Sequence, residues 1–489
     1  MENYFKKFRN NIIGINHVFN TPFGEKKLVY TDWTASGRLY SPIEEVISNK
    51  LGPFVGNTHS ETTVTGTTMT EAYHRAKSII KNHVNAGKED VIICDGSGMT
   101  GVINKFQRIL GLRIHESFKS YVNISSLEKP VIFISSMEHH SNQTSWLETI
   151  ADVEIIGLDN NGLTDLNHFE YLLKKYKDRK LKIAAITSCS NVTGVFTPYK
   201  EIARIIHSYG GYCFVDFAAS APYIEIDMHP EETGTHLDAV FFSPHKFLGG
   251  PGSSGVLIFN SKLYKNNVPD NPGGGTVEWT NPWGEHKFVD NIEAREDGGT
   301  PPFLQTIKAA LSIKLKEQMG TDNIRKREEE ILQMVWNKLP KIPDIKILAG
   351  NIKDRLPIFS FYFEKIHYNF MVRLLNDVYG IQSRGGCSCA GTYGHILLNV
   401  DFSKSRKITE KINLGDISMK PGWVRVSFHP TNTNEEIDFV IDSISELAKA
   451  HGDYKKYYKR KPFSNDYEYI GQNKSNSSGI EEIFNSLLE

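Results

Sequence analysis

The chain has few cysteines, no surplus of either charge and no long apolar run. Only five of its 489 residues are Cys, and so sparse and odd a set is not a disulfide framework, which favours a reducing compartment. Lys and Arg number 56 against 57 Asp and Glu, a balance that argues against binding nucleic acid or an anionic membrane as a main task. No segment reaches the roughly 18 uninterrupted apolar residues of a transmembrane helix. The N-terminus lacks the apolar core of a secretory signal, so we expect a cytoplasmic location.

What remains is the composition of an ordinary globular protein, with 39% hydrophobic and 23% charged residues. This length leaves room for a large domain and a smaller partner. We predict an N-terminal segment over 1–40 that packs on the small domain, a large domain over 41–320, a small C-terminal domain over 321–452 and a low-complexity, poorly ordered tail over 453–489. Within the small domain, the stretch 391–421 has a polar middle and is predicted to be an insertion.

Seven short apolar runs alternate with segments of helical length between residues 91 and 260. Strands buried on both faces of a sheet have such continuous apolar sequences, and their alternation with helices indicates βαβ units. The predicted fold class is α/β, with a mostly parallel seven-stranded sheet sandwiched by helices and a smaller C-terminal α+β domain. Because ligands bind at the carboxyl ends of parallel strands, the residues just after each run are the candidates for function.

Two of these strand ends carry weak signals for a ligand. The turn 95–101 joins a strand to a helix and can offer backbone N–H groups to a phosphate, although a plain tight turn explains it equally well. His139 and His140 follow the next run. Adjacent side chains point to different sides and no third ligand has a suitable spacing, so no metal site is predicted. A flat imidazole at a strand end can instead stack on a ring.

Two other strand ends carry a carboxylate and an amine. Asp216 closes a buried strand, where a charge is costly unless a cation pairs with it; a helix cap or a structural ion pair is the alternative. Lys246 follows another strand and precedes a glycine-rich loop. A desolvated lysine has a lowered pKa and can attack a carbonyl, whereas the alternative is an exposed lysine on a loop. Together, the phosphate turn, imidazole, acid and lysine are what pyridoxal 5'-phosphate (PLP) requires.

Five motifs in a fixed order extend this pattern. They are Glu138-His139-His140-Ser-Asn142, Ser190-Asn191-Val-Thr-Gly194, Val215-Asp216-Phe-Ala, Ser243-Pro-His245-Lys246 and Gly298-Gly299-Thr300-Pro301. On these motifs the sequence resembles the class V aminotransferase group of PLP fold-type I enzymes, and within it the cysteine desulfurase and selenocysteine lyase branch. The resemblance runs from about residue 30 to residue 448. Each motif alone is weak, but their combination and order are specific.

The resemblance implies a role for individual residues. Lys246 would bind the aldehyde of PLP and later move the Cα proton of the substrate, Asp216 would pair with the pyridinium, and His139 would stack on the ring. Asn191 would lie near the ring hydroxyl. The residues implied to hold the phosphate are Gly98, Thr100, Ser243 and His245. Thr300 would reach the phosphate of the partner subunit, which implies a homodimer with shared active sites.

Two cysteines stand close together in the smaller domain. In the type II desulfurases an Arg is followed five residues later by the nucleophilic Cys, which here implies Cys389 after Arg384, and not Cys387. The Cys-x-Cys form of the loop is similar to the molybdenum-cofactor sulfurases. Arg425 is implied to grip the substrate carboxylate, a task that suits the bidentate geometry of Arg. His59 lies in a region where relatives place residues near the substrate.

The sequence departs from the family pattern at two places. Ala219 stands where the family usually has a Gln three residues after the pyridine-pairing aspartate, and the insertion 391–421 is longer than in ordinary desulfurases. That insertion could cover the site or dock an acceptor. The resemblance implies a PLP-dependent cysteine desulfurase that converts L-cysteine to L-alanine and passes the sulfur to Cys389 as a persulfide. It further implies selenocysteine as a second substrate and a sulfur-acceptor protein as a partner.

Two other functions stay open on the sequence alone. One is a different PLP-dependent transferase or lyase reaction, such as that of an aminotransferase or an epimerase acting on another small amino acid, with Cys389 a bystander. The other is a sulfur-transfer scaffold that turns over poorly without its partners. For the cysteine loop, the alternatives are two incidental thiols, or a metal site formed with His395 that would still need a fourth ligand.

Overall fold

The computed structural model describes residues 1–58, 61–471 and 477–486. Its α-helices are α1 Glu2–Arg9, α2 Ser41–Glu45, α3 Val64–His83, α4 Met99–Ile109, α5 His140–Leu147, α6 Leu166–Lys175, α7 Tyr199–Ser208, α8 Ile292–Arg295, α9 Phe303–Met319, α10 Thr321–Lys338, α11 Tyr368–Tyr379, α12 Gly391–Leu397, α13 Phe402–Asn413, α14 Asn434–Tyr454 and α15 Ser477–Asn485. Its strands are β1 Val18–Thr21, β2 Gly24–Lys27, β3 Val29–Tyr30, β4 Asp90–Asp95, β5 Val131–Ser135, β6 Asp152–Ile156, β7 Lys182–Thr187, β8 Tyr212–Asp216, β9 Ala239–Phe242, β10 Gly255–Asn260, β11 Val277–Thr280, β12 His286–Phe288, β13 Lys346–Ile347, β14 Ile358–Tyr362, β15 Ile381–Gln382, β16 Arg384–Gly386, β17 Trp423–Ser427, β18 Tyr458–Arg460 and β19 Tyr467–Tyr469. No helix in the described ranges has both the length and the apolar character needed to cross a membrane.

The seven apolar runs form one sheet in the order β4-β10-β9-β8-β7-β5-β6. Neighbours from β9 to β6 run parallel, whereas β10 is antiparallel to both β9 and β4. Helices α3, α6, α7 and α9 pack on one face and α4 and α5 on the other. Successive strand residues such as Ile92 and Ile93 therefore enter opposite cores, and the strands need apolar residues at every position. The predicted α/β class with a mostly parallel seven-stranded sheet is confirmed.

A second sheet carries the smaller α+β unit. Its order is β13-β14-β17-β16 and all its pairings are antiparallel. Helices α10, α11 and α14 bury one apolar face against it, with Phe359, Val424 and Leu374 in the shared core. Helix α14 begins with a capping box between Thr433 and Glu436, which satisfies the first backbone N–H groups of the helix. The smaller α+β architecture agrees with the expectation, and the boundaries at residues 40, 320 and 452 stay predictions.

The first 40 residues contact both units. Helix α1 buries Phe5 and Phe8 in a cluster that includes Met319 at the end of α9, and Arg9 forms an ion pair with Glu436 of α14. Strand β3 pairs in parallel with β15, and Thr31 beyond it donates its backbone N–H to the carbonyl of Gln382. This chain segment therefore enters the active-site region from the side of the smaller unit.

The tail differs from the expectation of poor order between residues 458 and 469. Strands β18 and β19 form an antiparallel hairpin there. Tyr458 is buried, and its hydroxyl donates to a carboxylate oxygen of Asp377 at 2.7 Å. The tyrosines interleaved with the basic residues explain the difference, because Tyr458, Tyr467 and Tyr469 pack on the core of the smaller unit while the lysines face solvent. Residues 472–476 and 487–489 of the predicted tail lie outside the described residues.

The predicted insertion 391–421 forms the helices α12 and α13. Tyr393 of α12 is fully buried against Trp423 and neighbouring apolar residues. Helix α13 is largely exposed, and Phe402 and Leu414 at its two ends are 79% and 86% exposed. Helix α12 therefore anchors the segment directly after the cysteine loop.

Candidate active site

The carboxyl ends of β5, β7, β8 and β9 meet at a cavity of about 190 Å³. The residues predicted from the sequence that line it are Thr100, His139, Asn191, Asp216, Ser243, His245, Lys246 and Arg425. Thr34 and Ala35 from the N-terminal segment and Arg384 and Ser388 from the smaller unit close its other side. The strand ends singled out in the sequence therefore form a single site, as the parallel topology requires.

Lys246 ends a single 3₁₀ turn directly after β9. Its backbone N–H donates to the carbonyl of Ser243 at 3.0 Å, and the carbonyl of the preceding residue accepts from Gly37 at 2.9 Å. Within the described ranges, Nζ has no hydrogen-bond or ion-pair partner. The pKa of Lys246 is lowered to about 8, chiefly by burial; the charge of Asp216 opposes this shift, and the charge of Arg425 contributes to it. An amine with this pKa reaches the neutral, nucleophilic form close to neutral pH.

Asp216 ends β8 and is 2% exposed. One carboxylate oxygen accepts the backbone N–H of Ala218 at 2.7 Å, and in the described part of the chain the other has no hydrogen-bond partner. Burial raises the pKa of Asp216 to about 6, opposed by the N–H of Ala218 and the charge of Lys246. A buried carboxylate with so few partners is suited to a cationic N–H from a bound group.

His139 is the N-cap of α5, and its Nδ1 accepts the backbone N–H of Ser141 at 3.1 Å. Burial lowers the pKa of His139 to about 3, with a smaller contribution from Lys246. The imidazole is therefore neutral at physiological pH, with its remaining proton on Nε2. A neutral flat ring at this position can stack on an aromatic group without adding charge.

The predicted phosphate residues meet at the start of α4. The Oγ of Ser243 accepts the N–H of Met99 at 2.8 Å, and Nδ1 of His245 lies 3.0 Å from the carbonyl of Ser97. A Cβ placed on Gly98 would come within 3.0 Å of the His245 ring and 3.1 Å of the Ser243 hydroxyl. Gly98 therefore lets the helix end approach these side chains closely, and the positive end of α4 faces the cavity.

Arg425 is 2% exposed and already has two partners. One terminal nitrogen donates to the carbonyl of Asn191 at 2.9 Å, and the other pairs with a carboxylate oxygen of Asp32 at 2.6 Å. The second oxygen of Asp32 lies 4.0 Å from Arg384, which also lines the cavity. The Nε of Arg425 is buried and has no partner among the described residues. The arginine predicted to hold a substrate carboxylate thus stands beside a carboxylate of the protein itself.

The cysteine loop is a tight turn fixed against the large domain. Ala390 donates its N–H to the carbonyl of Cys387 at 3.0 Å, and the two residues between them have φ values of 50° and 56°. The carbonyl of Cys389 accepts the backbone N–H of His140 at 2.7 Å. The carbonyl of Ser388 accepts Nδ2 of Asn191 at 2.8 Å. These bonds connect the loop directly to residues that adjoin or line the cavity.

Some predicted residues do not line the cavity. The side chains of Cys387 and Cys389 are half-buried beside it, and Ser388 between them lines it instead. Thr300 is exposed and lies outside the lining, a position that leaves its predicted role toward a partner subunit untested. His59 lies outside the described residues. Ala219 lines the cavity, where a longer side chain would project into it.

The alternative metal site on the cysteine loop is not assembled. Both ring nitrogens of His395 face other groups, the carbonyl of Gly391 at 2.8 Å and the hydroxyl of Ser405 at 2.9 Å. One group of three metal-ligating residues occurs elsewhere in the described part of the chain, formed by His207, His236 and Asp238. Its two imidazole rings are stacked 4.0 Å apart, and their Nε2 atoms lie 2.9 Å and 3.9 Å from the carboxylate of Asp238, which they contact directly.

The residues around the cavity fit PLP. The side-chain oxygens of Asn191 and Ser388 and the Nε of Arg425 are buried and have no partner among the described residues. Buried polar atoms normally have hydrogen-bond partners, so three such atoms without a partner around one cavity indicate that a polar group binds there. The unpartnered amine of Lys246 is suited to bind the aldehyde of PLP, and the carboxylate of Asp216 is suited to pair with its pyridine nitrogen.

The family model described as Aminotransferase class-V matches residues 29–440, most of the chain. The chain belongs to the class-V aminotransferase family. Enzymes of this family depend on PLP, and this member is therefore a PLP-dependent enzyme. The cavity of Lys246 and Asp216 lies within the matched residues and carries the groups that this cofactor needs.

Several cysteine desulfurases are similar to this family member. A probable cysteine desulfurase of Halalkalibacterium halodurans is 28% identical over 87% of this chain and 94% of its own length. One from Staphylococcus aureus is 26% identical over 90% and 97%. The structure of a cysteine desulfurase from Thermococcus onnurineus superposes with a TM-score of 0.71 at 23% identity, covering 91% of this chain and 98% of that one. The last likeness shows the shared fold, that of the PLP fold-type I enzymes.

Three residues of the site were not predicted from the sequence. Asp32 pairs with the buried arginine, Ser388 lines the cavity, and Glu138, which the motif contains without an assigned role, lies buried next to His139 in the sequence. Glu138 accepts the N–H of Thr187 at 2.8 Å, and burial raises its pKa to about 8. The sequence does offer a signal for Asp32, since it is the single acidic residue among the mostly small residues that follow β3. No sequence signal singles out Ser388, because its orientation depends on the backbone of the turn.

Proposed function

We propose that the enzyme is a cysteine desulfurase, which converts L-cysteine to L-alanine and leaves the sulfur on Cys389 as a persulfide. The observation that carries this proposal is the 2.7 Å bond from the backbone N–H of His140 to the carbonyl of Cys389. His140 directly follows His139, which lines the cavity, so the backbone of the half-buried Cys389 is fixed at the rim of the PLP site. The names of the similar proteins support the same reaction.

Each site residue has a proposed task. Lys246 holds the cofactor and moves the Cα proton of the substrate, Asp216 keeps the pyridine nitrogen protonated, and His139 orients the ring. Bound PLP supplies the electron sink that makes the Cα proton of an amino acid acidic. Arg425, assisted by Arg384, binds the substrate carboxylate. Gly98, Thr100, Ser243 and His245 hold the phosphate.

Sulfur transfer is the proposed task of Cys389. Its thiolate attacks the sulfur of the bound substrate, a Cys389 S–S bond forms, and the carbon–sulfur bond of the substrate breaks. The alanine carbon takes a proton as the product leaves. The thiolate is the reactive form of cysteine in this attack.

The proposal extends to partners and compartment. We infer a homodimer in which Thr300 serves the phosphate site of the second subunit, since Thr300 is exposed and lies outside its own cavity lining. A sulfur-acceptor protein is the inferred partner, and the exposed helix α13, in the segment that follows the cysteine loop, offers it a surface. A cytoplasmic location is consistent with five cysteines that are all unpaired.

The test measures alanine from L-cysteine with the purified PLP-bound protein. We expect alanine to appear with L-cysteine, and also with L-selenocysteine, and no turnover of L-alanine, L-serine or L-aspartate. The variant Lys246→Ala is expected to lose all alanine formation. An exposed lysine such as Lys174 provides the matched control, because Lys174→Ala leaves the cavity untouched.

One observation favours a second candidate function. Neither Cys387 nor Cys389 lines the cavity, which fits another PLP-dependent reaction of the family in which the loop only closes the site. Turnover of other amino acids with none of L-cysteine would establish that function. Alanine formation that rises from near zero only when a second protein is added would instead favour a partner-dependent sulfur-transfer scaffold.

A further inference from the structure

Cys387 and Cys389 occupy the first and third positions of the turn at the cavity rim. The hydrogen bond from Ala390 to Cys387, with positive φ at both central residues, defines a type I′ turn. Ser388 and Cys389 are not glycines, and the left-handed region costs such residues of order 1–3 kcal/mol. The surroundings therefore impose this turn, and it fixes how the two cysteines lie relative to each other.

The turn holds the backbones of the two cysteines close together. Residues i and i+3 of a β-turn lie within about 7 Å, and its first and third residues fall in the roughly 4.4–6.8 Å Cα separation of disulfides. Both cysteines are half-buried and unpaired. The other three cysteines are fully buried, and burial raises the pKa of each, that of Cys94 to about 12. Among the five, only the loop pair combines proximity with access.

The contacts of the two cysteines differ. The backbone of Cys389 is bound to the large domain through His140, and Nε2 of the same histidine accepts the N–H of Gly391 at 2.9 Å. Cys387 instead packs its side chain at the edge of the apolar cluster that contains Tyr393 and Trp423. The backbone of Cys389 is thus fixed beside the cofactor site, whereas Cys387 has no hydrogen bond to the large domain among the described residues.

We propose that Cys387 is a resolving cysteine that releases the sulfur carried by Cys389 as hydrosulfide. This inference rests on the proposed desulfurase function. The thiolate of Cys387 attacks Sγ of persulfidated Cys389, a bond forms between the two Sγ atoms, and the bond to the terminal sulfur breaks. Hydrosulfide leaves with that electron pair. The two cysteine thiols are oxidised to a disulfide, and the sulfane sulfur is reduced to sulfide.

A reductant then restores the pair. A disulfide between residues only two apart closes a very small ring, and such strained disulfides are reduced readily. Two equivalents of a low-molecular-weight thiol return both cysteines to the thiol form and become a disulfide themselves. The loop therefore releases sulfide repeatedly when thiol is present and only once when it is absent, unless an acceptor protein removes the sulfur first.

The experiment is a single turnover without added thiol. The PLP-bound protein is reduced, freed of reductant under anaerobic conditions, mixed with one equivalent of L-cysteine per site and quenched with an alkylating agent. Alanine and sulfide are quantified, and the peptide that contains both cysteines is weighed. The variants Cys387→Ser and Cys387→Ala are treated in parallel, and an unchanged visible spectrum of bound PLP reports that each is folded.

The wild-type protein is expected to give alanine and sulfide in equal amounts, and a peptide two hydrogens lighter that resists alkylation. Both variants are expected to form alanine, retain the extra sulfur on Cys389 and release at least tenfold less sulfide. Sulfide release from the variants at the wild-type rate overturns the inference, as does a wild-type protein that keeps its persulfide and forms no disulfide. Absence of alanine from the wild-type protein marks failure of the proposed function, and the inference fails with it.

Discussion

The charge of Asp216 makes the cofactor-free protein less stable at neutral pH. Its pKa rises from 3.8 to about 6 because the carboxylate is buried, and each pKa unit corresponds to about 1.4 kcal/mol. The folded cofactor-free protein therefore loses up to about 3 kcal/mol by carrying this charge at pH 7. Because the folded pKa is raised, the stability is fully present below about pH 4 and is lost as the pH rises through 6.

The substitution Asp216→Asn removes this cost while an amide oxygen still accepts the N–H of Ala218. In urea denaturation at about pH 7.5, the cofactor-free variant is expected to exceed the cofactor-free wild type by up to about 3 kcal/mol in free energy of unfolding. The difference is expected to shrink toward zero near pH 4. With PLP bound, the wild type is expected to be the more stable of the two proteins, because the variant cannot pair with a pyridinium. The affinity of the variant for PLP is expected to fall by at least tenfold.

Asp178→Asn is the matched control, since Asp178 is exposed and its substitution is expected to change stability by less than about 0.5 kcal/mol. The reasoning is refuted if the cofactor-free Asp216→Asn protein is no more stable than the wild type at neutral pH. A stability difference that does not change between pH 4 and pH 7.5 would also refute it.

Three further predictions concern the contacts around the site. Asp32→Ala removes the carboxylate that pairs with a buried guanidinium, and it is expected to lower the free energy of unfolding in urea by about 3–5 kcal/mol. The control Asp354→Ala removes an exposed ion pair and is expected to lower it by less than about 1 kcal/mol. Equal losses in the two variants would contradict the role of burial. His140→Ala removes the acceptor of the Gly391 N–H, so kcat for alanine formation is expected to fall about fivefold to tenfold with the PLP spectrum unchanged; an unchanged kcat would count against the fixed loop. Tyr458→Phe removes a hydrogen bond to a buried carboxylate and is expected to cost about 1.5–3 kcal/mol, and a loss below 0.5 kcal/mol would contradict the packing of the tail hairpin.

The cofactor site was largely predictable from the sequence. Asp216 ends the buried strand β8 and Lys246 follows the buried strand β9. Because neighbouring parallel strands align their carboxyl ends, the two residues reach one cavity. The pairing of Asp32 with Arg425 was not predictable, because the two residues are 393 positions apart and meet only when the N-terminal segment packs on the strands of the smaller unit. The hairpin of the tail was missed for a related reason, since polar composition predicted disorder while the tyrosines found an apolar surface.

The conformation of the cysteine loop could not be predicted from the sequence. The resemblance to the type II desulfurases singles out Cys389, yet the backbone of the type I′ turn places Ser388 in the cavity lining and leaves both cysteines outside it. Two consecutive non-glycine residues with positive φ have no reliable sequence signal, because the conformation is stabilised by bonds from His140 and Asn191 in the large domain.

The most direct test of the account is the alanine yield with and without Cys389. PLP-bound wild-type protein and the variant Cys389→Ser are compared at the same concentration of L-cysteine, with the visible spectrum confirming equal cofactor content. We expect at least a hundredfold loss of alanine formation in Cys389→Ser with the spectrum unchanged. Full alanine formation by Cys389→Ser would contradict persulfide transfer to this residue, even if Lys246→Ala were inactive.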